Sequence, residues 1–152
     1  MEVQARDLLR RAVEVAVGAH EGQTDKNGVP YICHPIMVAL YANASPIVRA
    51  VALLHDVLED SSVTMEDLVK LSFPTDVIEA LRVLTRPKED HRYTDYIRSI
   101  IESKNAVAIQ VKIADLTDNL SKTRTEESPV NPAQRRLYEK ARVDLIEAML
   151  NL

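Results

Sequence analysis

The sequence predicts an all-α protein folded as one domain over residues 1–152, and three observations carry that prediction. Three Gly in 152 residues are too few for the tight turns of a sandwich or barrel. Five Tyr, one Phe and no Trp supply little of the aromatic content that strands favour. No segment alternates apolar and polar residues long enough to require a strand, whereas several repeat apolar residues at three- and four-residue spacing. With 46% hydrophobic and 28% charged residues, the chain has the balance of an ordinary globular protein able to bury one sizeable core.

The elements follow in order. Residues 3–17 place Val3, Leu8, Leu9, Ala12, Val13, Ala16 and Val17 toward one side of a helix and Arg6, Arg10 and Glu14 on the other. Gly18, Gly22 and Gly28 then mark a long loop over residues 18–34, with Asn27-Gly28 its strongest turn signal. Pro35 suits the first position of a short helix to about residue 44, and Pro46 that of the next one through Val57. Thr64 with Asp67 forms an N-cap pair for a brief helix to Leu71, and Pro74 begins another to Leu84. Residues 86–92 read as a charged loop. Thr94 caps a helix to Glu102, and Asn105 caps a long one from Ala106 to about Leu120. After a polar stretch, Asn131-Pro132 starts the last helix, which turns Leu137, Ala141, Leu145 and Ala148 or Met149 inward.

A formal net charge of −4 gives no global electrostatic reason to bind nucleic acid or an anionic membrane. The longest apolar run, residues 50–54, is far short of the roughly 20 residues a bilayer span needs. Charged residues throughout the first twenty positions break any signal-peptide core, and the lone Cys33 has no internal disulfide partner. The expectation is a cytoplasmic protein without a nucleic-acid or membrane partner.

Chemistry shows first in Val51-Ala-Leu-Leu-His-Asp-Val-Leu-Glu-Asp60, where an apolar helix meets four ionisable side chains in six residues. On a continuous helix His55 would stack with Glu59 and Asp56 with Asp60. Buried carboxylates need a cation, a partner or water. The alternative is a helix that ends near Leu58, with Glu59-Asp60 in an exposed acidic turn. In the long helix, Lys112, Asp115, Asn119 and Lys122 form one polar stripe on an otherwise apolar rod, the pattern of a central helix presenting an Asp to a site. His34, at the end of the glycine-containing loop, adds a second imidazole. Two imidazoles and two carboxylates suit manganese, iron or zinc better than calcium and leave positions open for water and substrate.

Three blocks together carry a family resemblance: Ala19-His-Glu-Gly-Gln-Thr-Asp-Lys-Asn-Gly-Val-Pro-Tyr-Ile-Cys-His-Pro35, Ala52-Leu-Leu-His-Asp-Val-Leu-Glu-Asp60 and Val111-Lys-Ile-Ala-Asp-Leu-Thr-Asp-Asn119. In that order they resemble the HD superfamily of metal phosphohydrolases, and specifically the small single-domain relatives of the hydrolase half of RelA/SpoT-type alarmone enzymes. The resemblance spans about residues 5–145 and implies a multi-helix HD-type domain without a synthetase half. It implies His34, His55, Asp56 and Asp115 as metal ligands, usually for manganese. It implies Glu59 and Asp60 as the carboxylates that handle protons and Asn119 as a substrate-side residue. Phosphoryl transfer also calls for basic side chains around the pocket, for which Lys26, Lys112, Arg86 and Arg124 are the candidates.

Other residues read as support. His20 organises the loop or supports a metal ligand from behind, Tyr31 packs the loop or stacks on a base, and Tyr96 at helical spacing with Ile100 belongs to the core. Tyr93 stands at the pocket edge, His91 is solvated, and Cys33 has no assigned role. Two positions depart from the alarmone-hydrolase pattern: Asp25 and Leu116 each stand where a basic residue is usual. The expected substrate is a small nucleotide, ppGpp or a related guanosine polyphosphate, cleaved at its 3′-pyrophosphate. The alternatives are a phosphatase for another nucleotide, such as the 2′-phosphate of NADPH or a nucleoside monophosphate, and a non-catalytic nucleotide-binding HD module.

Overall fold

A computed structural model describes residues 1–42, 45–86, 92–121 and 131–152. The elements are α1 (Glu2–Ala19), α2 (Cys33–Ala42), α3 (Pro46–Leu54), α4 (Val57–Asp60), α5 (Met65–Lys70), α6 (Thr75–Leu84), α7 (Tyr93–Glu102), α8 (Ala106–Asn119) and α9 (Pro132–Leu150). The all-α expectation holds. Among the described residues the only extended pairing is an isolated bridge between Thr24 and Pro30.

Two helices make the centre. The hydrophobic α3 buries Val48 and every residue from Ala50 to Leu54 against α1, α2, α6 and α8. The other, α8, buries Ala108, Ile109, Val111, Ala114 and Leu116 and packs on α2, α3, α6, α7 and α9. Side-chain caps define several ends as the sequence predicts. Asn105 Oδ1 accepts from the Ala108 N–H at 2.9 Å, Asn131 Oδ1 accepts from Ala133 at 2.8 Å, and Thr64 with Asp67 closes a capping box.

Several boundaries differ from the sequence reading. The helix expected through Val57 stops at Leu54, passes a turn at His55-Asp56 and restarts as the short α4. His55 contributes to the break: its Nδ1–H donates to the Ala52 carbonyl at 2.7 Å, a side-chain bond to backbone in the last turn of α3. In turn, α1 continues to Ala19 and takes in Gly18, and α2 starts at Cys33, which places His34 in its first turn. Thr94 lies inside α7, whose N-cap position is Arg92 without a side-chain cap bond.

The inner face of α1 is also rotated from the expected one. Leu8, Ala12 and Ala16 are buried, whereas Val3, Val13 and Val17 are exposed. Two alanines spaced four apart let the α3 backbone approach, which the bulkier valines would prevent. On α9, Ala141 and Leu145 are buried, while Leu137, Ala148 and Met149 are half-buried.

The loop after α1 is built by Asp25. Its Oδ1 accepts from the N–H groups of Asn27 at 2.8 Å and Val29 at 3.0 Å, and Gly28 follows with φ +79°. The acid at this position has a structural reason, because a carboxylate that accepts from the N–H groups two and four residues on shapes the turn. Lys26 sits exposed at the tip.

Candidate metal centre

Three helices deliver the candidate donors. His34 arrives from the first turn of α2, His55 and Asp56 from the break after α3, and Asp115 from the middle of α8. One donor atom each from His34, His55 and Asp115 lies within 4.8 Å of the others, and all three residues are buried. His34 Nε2 is 3.1 Å from Asp115 Oδ1, and His55 Nε2 is 3.7 Å from the same oxygen. Asp56 Oδ2 stands beside them, 3.2 Å from His55 Nε2 and 3.6 Å from His34 Nε2.

An outer layer holds these groups in place. His34 Nδ1 meets Asp118 Oδ2 at 2.6 Å, and the Tyr31 hydroxyl donates to Asp56 Oδ2 at 2.6 Å. Lys112 Nζ donates to Asp115 Oδ2 at 2.8 Å, and Asn119 Nδ2 donates to Asp115 Oδ1 at 2.9 Å. His20 sits behind Tyr31, with ring centroids 5.0 Å apart, and Gln23 ties the loop to the Asp60 carbonyl at 2.7 Å.

The electrostatics follow from burial set against close opposite charge. Burial disfavours a charged His34 or His55. The hydrogen bonds of His34 to Asp115 and Asp118, and for His55 the nearby Asp56 with Asp115, outweigh it and raise both imidazoles above the ordinary range. Burial likewise pushes Asp115 up, but Lys112 and the two imidazoles hold it well below the usual carboxylate range. Asp56 is lowered against the same burial by His55 and His34. The opposite holds for Glu59 and Asp60, which burial raises.

The donor set fits a divalent ion. His55 Nε2 is buried without a hydrogen-bond partner and faces the carboxylates of Asp56 and Asp115. Two imidazole nitrogens with carboxylate oxygens are donors that transition ions favour.

Beside the cluster opens a cavity of about 140 Å³, whose walls include His55, Asp56, Glu59, Arg86, Lys112 and Asp115. Glu59 accepts from the Arg86 backbone N–H at 2.6 Å. Asp60 is outside this lining, although it feels the charges of Asp56, His20 and His55. The Lys112 ammonium sits 5.2 Å from the Tyr96 ring centre, and Tyr96 is itself buried in the core. Asn119 turns its amide to Asp115, and Lys26 is not among the residues that line the cavity. Lys122, Arg124 and His91 lie outside the described residues.

Sequence reasoning missed Asp118 and the hydroxyl role of Tyr31. Asp118 carried one signal, an acid three residues beyond Asp115 on an apolar helix, but its meaning depends on where α2 crosses.

No family model matches the chain. It is 33% identical over 131 residues to a guanosine-3′,5′-bis(diphosphate) 3′-pyrophosphohydrolase of Borreliella burgdorferi, covering 76% of this chain and 19% of that protein. It is 34% identical over 122 residues to the bifunctional (p)ppGpp synthase/hydrolase SpoT of Escherichia coli, covering 74% of this chain and 17% of that one. The chain thus spans about a fifth of the length of these curated relatives. A solved structure of a metazoan SpoT orthologue, described as hydrolysing ppGpp, superposes with a TM-score of 0.70 at 26% identity, covering 94% of this chain and 90% of that one. Among the described residues no helix is long and apolar enough to cross a membrane. Relatives in sequence, the shared all-α fold and the His-Asp pair at its centre agree: the chain belongs with the HD-type, RelA/SpoT-hydrolase-like proteins.

Proposed function

We propose that the chain is a manganese-dependent phosphohydrolase that removes the 3′-pyrophosphate of ppGpp or a closely related guanosine polyphosphate and releases pyrophosphate. The supporting observation is the convergence of His34, His55 and Asp115 within 4.8 Å, in a chain that resembles proteins named for that activity. In this reading His34, His55, Asp56 and Asp115 hold the ion. A bound divalent ion supplies Lewis acidity toward a phosphoryl oxygen and toward water.

The remaining work falls to the chain's own side chains. Glu59 stands in the cavity wall, and burial raises its affinity for a proton, which equips it to take a proton from the attacking water and return one to the leaving group. Asp60, raised in the same sense, serves as its neighbour in that relay. Lys112 places positive charge at the cavity while holding Asp115. Asn119 orients Asp115 from the other side, and Lys26 and Arg124 are the further basic residues the sequence offers for the substrate's phosphates.

Purified protein loaded with manganese is expected to release pyrophosphate from ppGpp, and His55→Ala and Asp56→Ala to abolish the release, as read by a coupled pyrophosphate assay. Full turnover in both variants would remove the site. Orthophosphate released from NADPH or a nucleoside monophosphate, with ppGpp untouched, would replace the substrate assignment. Thermal stabilisation by metal and nucleotide without any product would leave a binding module.

A further inference from the structure

One buried acid in this region has no part in the proposed ligand set. Asp118 on α8 is 3% exposed, and the helix that crosses it, α2, brings His34, itself 6% exposed. A neutral imidazole carries one N–H, and two carboxylates compete for it on His34. Asp118 Oδ2 lies 2.6 Å from Nδ1, whereas Asp115 Oδ1 lies 3.1 Å from Nε2. Asp115 already accepts from Lys112 and Asn119, so its oxygens have donors without the His34 ring.

We propose that Asp118 is a positioning residue that fixes His34 as the Nδ1–H tautomer and leaves its Nε2 lone pair facing His55 and Asp115. The consequence for metal uptake rests on the function proposed above; the tautomer assignment does not. The neighbouring ring is fixed by a different device. His55 Nδ1 donates to the neutral Ala52 carbonyl, while His34 donates to an acid. A carboxylate behind the ring makes the opposite nitrogen a stronger donor and stops the ring from turning.

The test reads the ring directly, by ¹⁵N NMR of histidine-labelled, metal-free protein in alkaline buffer where imidazoles are neutral, with His34 assigned by its loss in His34→Gln. Wild-type His34 is expected to carry its proton on Nδ1, and Asp118→Ala to move that proton to Nε2, toward Asp115. Manganese affinity, measured by titration, is expected to fall about 10- to 100-fold in Asp118→Ala. Asp118→Asn, whose amide oxygen still accepts, should lose less. A wild-type proton on Nε2 overturns the proposal even if no variant folds, as does Asp118→Ala with unchanged tautomer and unchanged affinity. A wild-type protein that takes up no divalent ion overturns the metal reading instead, and the tautomer still decides the role of Asp118.

Discussion

Asp115 shows how a buried carboxylate is kept charged. Lys112 and Asn119 donate to its two oxygens, so removing one partner leaves charge uncompensated in a buried place. Lys112→Met should destabilise the protein by about 3 kcal/mol, the low end for a broken buried pair because the Asn119 amide remains on Asp115. Urea denaturation would measure this, and a change under about 0.5 kcal/mol, the level of an ordinary surface substitution, would contradict it. At this scale the sequence showed residues whose chemistry is costly to bury: His55, Asp56 and Asp115 stand out in apolar helices. It did not show Asp118 or the Tyr31 hydroxyl as partners, because each pairing joins side chains from separate stretches of chain and no local spacing reports it.

The helices were legible where local chemistry sets their ends. Asn105, Asn131 and Thr64 offer oxygens to the first free N–H groups, and the starts found there match those read from sequence. The end of α3 was not legible. Neighbouring residues on a helix point roughly 100° apart, so His55 and Asp56 bring Nε2 and Oδ2 to 3.2 Å because the helix breaks between them and α4. That break goes with the His55 bond to the Ala52 carbonyl and with the convergence of the donors, neither of which apolar spacing reports. The rotation of α1 has the same origin, since close approach to α3 selects Ala12 and Ala16 over the valines. For α8 the cap matters to everything it carries. Asn105→Ala should cost about 1 kcal/mol. Differential scanning calorimetry would then show a Tm lower by roughly 2–4 °C.

Across the whole molecule, α2, α3 and α8 meet one another at the cluster, so an ion there would tie together the three central helices. Binding to the folded state at a hundredfold excess over Kd adds about 2.7 kcal/mol. For a chain of this size that corresponds to a Tm higher by roughly 5–10 °C. Thermal unfolding with manganese, and again after EDTA, should show that rise and its full reversal. No difference between the two would mean that the cluster does not hold the ion.

The adjacency of His55 and Asp56 at the end of α3 sets how many pieces the cluster has. His55 and Asp56 share one backbone joint, so four candidate donors come from only three stretches of chain. A tilt of α3 displaces an imidazole and a carboxylate in concert, and the cluster loosens or tightens as a tripod does, on three feet.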